Sequence, residues 1–299
     1  MDPRGSKFLA SGKITLAKFA TIFTTGPGMN LRATFANAKW LHSVVLLAVI
    51  SSEPQLRAAE ASATSQLSVQ ANTNNAIVPV TRLEQDCYDW NDRHAKVLEV
   101  QKTLDPEIVL IGDSITHFWG GPPVLGPQNG PKAWADTFGG RRVLNMGFGW
   151  DRTQNVLWRL DHGEMDGTHP KVVVINIGSN NLTGTPNARA NTPAEIAEAI
   201  LVICDRVQKK SPQSRIIVMG VLPRGFNPDD YYRVNIIALN EVLARQLVGK
   251  SQISFLDISD QFVARSAVLS RDLMADGVHP TEAGYSIWGK ALVTAGIMK

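Results

Sequence analysis

Five short apolar runs recur in the second two-thirds of this chain: Glu107 to Ile111, Arg142 to Asn145, Lys171 to Ile177, Arg215 to Met219 and Ile253 to Leu256. They are rich in β-branched residues, and several are apolar throughout, as expected of strands covered on both faces. Between them the pattern changes to a helical period. Pro193 to Gln208 follows Thr192, a candidate N-cap, with Pro193 at the first helical position and Glu195 placed to complete a capping box. Tyr232 to Val248 sets Val234, Ile237, Leu239, Val242, Leu243 and Leu247 along one broad face, and Thr281 to Ala295 forms a closing helix. Strands alternating with helices of this length predict the α/β class: a three-layer α/β/α sandwich around a five-stranded parallel sheet. One domain from Thr81 to Lys299 suffices, and no internal repeat is visible.

The beginning of the chain does not follow this pattern. Leu41 to Ile50 is apolar, is preceded by Arg32 and Lys39, and is followed by the small-residue sites Ala59-Glu60-Ala61 and Ala61-Ser62-Ala63. Basic region, apolar region and small-residue site in that order read as an export signal, too short for a comfortable membrane span. Such a signal would start at Met29, making residues 1–28 an over-extended gene start; the alternative is a disordered tail with one hydrophobic patch. Residues 1–61 are therefore expected to be a leader. Residues 62–80, rich in Ala, Ser, Thr, Asn and Gln, are expected to be a linker or poorly ordered arm. Seven of the 30 basic and three of the 27 acidic residues fall in positions 1–61, so the rest of the chain has a net charge near −1. That balance argues against nucleic acid as a partner. Cys87 and Cys204 are the only cysteines, and nothing in their spacing demands a disulfide. Two cysteines cannot form a thiolate zinc site by themselves, and the six histidines show no ligand spacing.

Polar clusters break the apolar runs at their carboxyl ends. Gly112-Asp113-Ser114 ends the first, Asn145 to Thr153 follows the second, and Gly178-Ser179-Asn180-Asn181 follows the third. Open α/β sheets place their ligands on this edge. A serine hydroxyl becomes a useful nucleophile when a base accepts its proton, so Ser114 needs a partner. Asp276-Gly277-Val278-His279 supplies one: His279 as base, with Asp276 orienting the other ring nitrogen. Negative charge developing on an ester oxygen needs aimed donors, for which the Asn180 amide, the Ser114 N–H and an N–H from the 147–151 turn are candidates.

These segments resemble the SGNH, or GDSL-like, hydrolase family. Gly112-Asp113-Ser114-Ile115 matches its first block, Asn145-x-Gly147 the second, Gly178-x-Asn180 the third and Asp276-x-x-His279 the last. Within the family the chain is similar to the catalytic subunits of intracellular platelet-activating factor acetylhydrolase. That similarity runs through Val143 to Gly149, Asn155 to Leu160, Pro170 to Val174, Gly178 to Asn181 and Leu222 to Gly225. The resemblance implies a flavodoxin-like sheet, an acyl-serine intermediate and no metal or other cofactor. It assigns Ser114 as nucleophile, His279 as base, Asp276 as its partner and Asn180 as an oxyanion donor. It also marks one departure. The family usually has a second glycine just before the aspartate, its N–H completing the oxyanion hole; here Trp150 stands there. If that position needs a glycine dihedral, the loop must be rearranged. Asp113, Asn145, Gly147, Gly149, Asp151 and Asn181 are expected to brace the site.

Resemblance to the acetylhydrolases favours a short acyl group, with Trp119, Phe148 and Trp150 expected to restrict longer chains. Arg224, Tyr231 and Tyr232, after the fourth strand, are expected either to meet the alcohol or to form a subunit surface. Export favours an extracellular or periplasmic O-acetylated polymer or glycan over an intracellular phospholipid. Two rival activities use the same residues: a lysophospholipase or thioesterase with long acyl chains, and a carbohydrate O-acetyltransferase. The resemblance also suggests a homodimer, and no integral membrane domain is expected.

Overall fold

The structure, a computed structural model, describes residues 73–298. The expected leader and the first part of the expected linker lie outside these residues. Five parallel strands form one sheet: β1 (Ile108–Gly112), β2 (Val143–Gly147), β3 (Val172–Asn176), β4 (Arg215–Met219) and β5 (Ile253–Leu256), in the order β2-β1-β3-β4-β5. This is the flavodoxin-like order, in which the chain first winds to one side of β1 and then to the other. The switch point lies between β1 and β3, where such sheets leave a crevice beyond the strand ends. The register aligns Gly112 with Gly147 on one side and with Asn176 on the other, so the turns after three neighbouring strands begin at one level.

Alternation within the apolar runs explains why they are apolar throughout. Val109 and Ile111 join Leu144, Met146, Val173 and Ile175 in one core; Ile108 and Leu110 join Val143, Val172 and Val174 in the other. The first core is covered by α1 (Trp90–Leu104), α4 (Thr153–Asp161), α5 (Pro193–Lys210) and α6 (Tyr231–Gln246). The second is covered by α3 (Pro131–Phe138) and α7 (Glu282–Thr294). A single turn, α2 (Ser114–His117), follows β1 directly.

The capping box at the start of α5 forms as its sequence predicts: Glu195 N–H donates to Thr192 Oγ1, and Thr192 N–H donates to Glu195 Oε2. The face of α6 differs from expectation. Val234 and Ile237 are 53% and 52% exposed, while Ile236, Leu239, Asn240 and Leu243 turn inward. Asn240 fixes that rotation: its Oδ1 accepts the Val221 N–H at 2.9 Å and its amide donates to the Val221 carbonyl at 3.1 Å.

The folded body also begins ahead of Thr81. Ala76 is fully buried, and its carbonyl accepts the Thr153 hydroxyl at 2.9 Å. Asn74 donates to the Glu195 carbonyl at 3.0 Å, and Val80 N–H to the Gln154 carbonyl at 3.2 Å. The stretch from Asn74 to Val80 is therefore a strap docked on α4 and α5 rather than a linker. No helix among the described residues is long and apolar enough to cross a membrane.

Candidate active site

Ser114 opens α2 at the end of β1. Asp113 is the N-cap, its Oδ1 accepting the Ile115 N–H at 2.9 Å. His279 lies just before α7, whose N-cap is Thr281. The Asp276 carboxylate folds this turn on itself: Oδ1 accepts the N–H groups of Val278 and His279 at 2.9 and 2.7 Å. Its Oδ2 is 2.7 Å from His279 Nδ1. With the Nδ1 proton held by that carboxylate, Nε2 is left to accept, and it lies 2.9 Å from Ser114 Oγ. Residues 165 positions apart are thus joined by one hydrogen bond. Partial burial pushes the Asp276 carboxyl up, but the hydrogen bonds from the His279 ring and from the two N–H groups outweigh it, so its pKa lies below the ordinary value. Asp276 stays ionised at neutral pH.

The turn after β2 carries Trp150. Asn145 anchors it through a buried amide that donates to the carbonyls of Thr116 and Gly120 at 2.9 and 2.7 Å, while its Oδ1 accepts the Gly147 N–H at 2.8 Å. A Cβ on Gly147 would lie 2.3 Å from the His117 nitrogen, so only glycine lets β2 approach α2 this closely. Trp150 takes a left-handed φ of 63°. The loop keeps the glycine-type conformation and accepts the strain of a side chain there, on the order of 1–3 kcal/mol, instead of rearranging. Asp151 explains how. Its Oδ1 accepts Trp90 Nε1 at 2.7 Å and its Oδ2 accepts Arg159 Nε at 2.8 Å, both in the interior. Burial pushes the Asp151 carboxyl up and Arg159 and Trp90 pull it back. Both oxygens accept hydrogen bonds, so the ionised form is the one this pocket holds.

Asn180, in the turn after β3, donates from Nδ2 to the Asp151 carbonyl at 3.1 Å and lines the same cavity as Ser114. Asn181 braces the next turn, its Oδ1 accepting the Thr153 N–H at 3.0 Å. The N–H groups of Ser114 and Trp150 donate to no acceptor among the described residues. They and the second proton of the Asn180 amide remain available for a ligand.

A cavity of about 160 Å³ is lined by Ser114, His279, Asn180 and Trp150. Asp86, Phe118, Arg224 and Val278 complete its wall. A larger cavity of about 480 Å³, between α6 and β5, is lined by no histidine and by none of Ser114, Asn180 or His279. Among the described residues no three His, Cys, Asp or Glu side chains converge as metal ligands. Cys87 is exposed and Cys204 buried in α5, each a free thiol.

Trp119 and Phe148, expected at the cleft, and Tyr231 and Tyr232, expected there or at a subunit surface, do not line it. Trp119 is fully buried in the second core, stacked on Trp288 at 4.7 Å between ring centroids. Phe148 is fully buried in the first core, with the Arg159 guanidinium 4.0 Å from its ring centre. Tyr231 is exposed on α6 and Tyr232 lies beneath Arg224, at 3.9 Å; neither lines the cavity. The aromatics at the cleft are Trp150, as expected, and Phe118, one helical turn after Ser114. Asp86 is not legible in the sequence because the segment between the strap and α1 that delivers it carries no periodic pattern.

The sequence profile of the GDSL-like Lipase/Acylhydrolase family matches residues 110–287, and the chain belongs to this family. It is 31% identical to platelet-activating factor acetylhydrolase IB subunit alpha1 of Homo sapiens over 226 residues, covering 76% of this chain and 90% of that protein. Over 218 residues it is 31% identical to the alpha2 subunit of Rattus norvegicus, covering 73% and 88%. A GDSL-like lipase from Bacteroides thetaiotaomicron has the same fold, with a TM-score of 0.53 and 21% identity over 69% of this chain and 98% of that one. The protein is a serine-type carboxylic ester hydrolase.

Proposed function

We propose that the protein removes short acyl groups, acetyl above all, through an acyl-serine intermediate. The observation that carries this reading is the continuous relay from Ser114 Oγ to His279 Nε2 at 2.9 Å and from His279 Nδ1 to Asp276 Oδ2 at 2.7 Å. Ser114 attacks the ester carbonyl as His279 takes its proton. The oxygen of the tetrahedral intermediate accepts from the N–H groups of Ser114 and Trp150 and from the Asn180 amide. Collapse breaks the bond to the alcohol, which leaves with the proton from His279. Water then attacks the acyl-serine as His279 takes its proton, and the same imidazolium returns a proton to Ser114 Oγ as the acid departs. Asp276 holds the tautomer and stabilises the imidazolium without becoming protonated.

The cavity of about 160 Å³ is smaller than the ~300 Å³ lower bound of ordinary small-molecule sites, which supports a short acyl group over a long one. Similarity to the acetylhydrolase subunits supports acetyl. The export-type pattern of residues 29–63 supports action outside the cytoplasm, on an O-acetylated glycan or polymer, and N-terminal sequencing of the mature secreted protein checks that placement. The deciding experiment measures p-nitrophenyl acetate hydrolysis by the protein and by Ser114→Ala. The variant should lose roughly four to six orders of magnitude in turnover. Equal rates would refute the nucleophile, and a series in which octanoate exceeds acetate would refute the acyl preference.

A further inference from the structure

Two charged side chains at the cleft have no part in the hydrolytic step. Asp86 arrives from the segment ahead of α1. Its Oδ1 accepts the Cys87 N–H at 2.6 Å. Its Oδ2 lies 1.5 Å from where a Cβ on Gly149 would stand, so the carboxylate rests on the backbone of the turn that bears Trp150. The Cys87 thiol also lies within hydrogen-bond reach of this carboxylate. Arg224 comes from the loop after β4. Its guanidinium lies over the Tyr232 ring at 3.9 Å, and Nη1 donates to Thr183 Oγ1 at 3.0 Å. Nη1 also lies 3.5 Å from the Ser179 carbonyl, and the remaining N–H groups have no acceptor among the described residues. The two charges form no ion pair with each other, yet both line the cavity that holds Ser114, beside an indole that is 39% exposed.

This combination discriminates by charge. An alcohol carrying a fixed positive charge would gain from Asp86 and be repelled by Arg224; a fixed negative charge meets the reverse. A neutral polyol satisfies both, because its hydroxyls donate to the carboxylate and accept from the guanidinium. The C–H face of a pyranose would cover the apolar indole. We propose that Asp86 and Arg224, with the ring of Trp150, are specificity-determining residues that select an ester on a neutral, polyhydroxylated alcohol such as a pyranoside. This rests on the acetylesterase reading above and names its alcohol side.

The test compares kcat/KM for three acetate esters, an O-acetylated methyl xylopyranoside, acetylcholine and O-acetyl-lactate, with p-nitrophenyl acetate as reference. The unaltered protein should prefer the sugar ester to either charged ester by about tenfold. Asp86→Asn should raise the ratio of anionic to cationic ester turnover about three- to tenfold, and Arg224→Gln should lower it by a similar factor. Variants that depress all three esters by one common factor, leaving the ratio unmoved, would reduce both residues to structural roles and overturn the proposal. So would an unaltered protein that works best on acetylcholine. Failure to hydrolyse p-nitrophenyl acetate would remove the esterase reading and this inference together, whereas normal hydrolysis with flat charge ratios removes this inference alone.

Discussion

The two faces of the sheet hold the site by different physics. On the second face, Trp119, Tyr285 and Trp288 stack with centroids 4.7 to 6.2 Å apart, and Trp134 and Phe138 close around them. This is area burial with non-directional contacts, and through it runs a polar thread, the Tyr285 hydroxyl donating to the Ile115 carbonyl at 2.7 Å. That thread ties α7, which follows His279, to α2, which begins at Ser114. On the first face, near the strand ends, the interior is ionic. Arg159 bridges Asp151 and Glu164, and Glu164 faces His94 Nδ1 at 3.1 Å. Arg93 donates to the carbonyls of Gly147, Pro123 and Asn145 at 2.7, 3.0 and 3.1 Å. The nucleophile and base hang from the aromatic side, and the turn carrying the Trp150 N–H hangs from the charged side. Directional bonds are used where a strained backbone must be held at one angle, and burial where whole elements must only be kept together.

Arg159→Leu is the largest expected break in this arrangement. It leaves two carboxylates in the interior without their partner, a loss of about 3–5 kcal/mol in a denaturant titration at neutral pH. It should also lower kcat for p-nitrophenyl acetate in the fraction that stays folded, because Asp151 no longer fixes the neighbouring turn. A variant that loses stability and keeps its full kcat would show that the charged side serves the fold alone. Trp288→Ala probes the other face. It removes a fully buried ring from the stack, about 3–5 kcal/mol, and should lower Tm by on the order of 10 °C. Below its melting range this variant should keep its kcat, and a large kcat loss there would erase the distinction between the two faces.

What the sequence reveals follows the same division. All five strands and the helices α5 and α7 are visible as apolar periods, and the capping box of α5 locates its start. Helix α1 is not, because its inward positions are Trp90, Arg93, His94, Val97 and Gln101: the spacing is helical, but three of the five residues are polar. The start of α4 is hidden in the same way by buried Thr153, Gln154 and Asn155. The polar clusters at the strand ends stand out because they interrupt apolar runs. Which aromatic meets the cleft does not, since that depends on a rotation of about 100° per residue after Ser114. Phe118 returns to the serine side and Trp119 turns into the core.

Asp113 offers a smaller test, and its sign is fixed by burial. Its Oδ2 is buried with no partner, and burial pushes the carboxyl from an ordinary 3.8 up to about 7. Between those two values the folded protein keeps a proton that the unfolded chain has released. The stability linked to this group is therefore complete below about pH 4 and is lost as pH rises through about 7. Asp113→Asn keeps an oxygen for the Ile115 N–H and cannot ionise. Its stability relative to the unaltered protein should rise between pH 5 and pH 8 by on the order of 2–4 kcal/mol. Parallel stability curves across that range would show that the carboxylate is solvated or paired in the folded state.

Trp150→Gly should give the smallest effect, and it measures how firmly the charged side grips the turn. Glycine takes the φ of 63° without penalty, releasing about 1–2 kcal/mol of left-handed strain. It gains unfolded-chain entropy worth roughly 0.5–1 kcal/mol in the opposite direction. The ring is only 39% exposed, so the apolar burial lost with it costs roughly 2–3 kcal/mol more. The balance is a loss of about 1–2 kcal/mol, or a fall in Tm of roughly 3–6 °C. A loss above about 3 kcal/mol would mean that the indole itself holds the turn, and the grip attributed to Asp151, Trp90 and Arg159 would have to be shared with it.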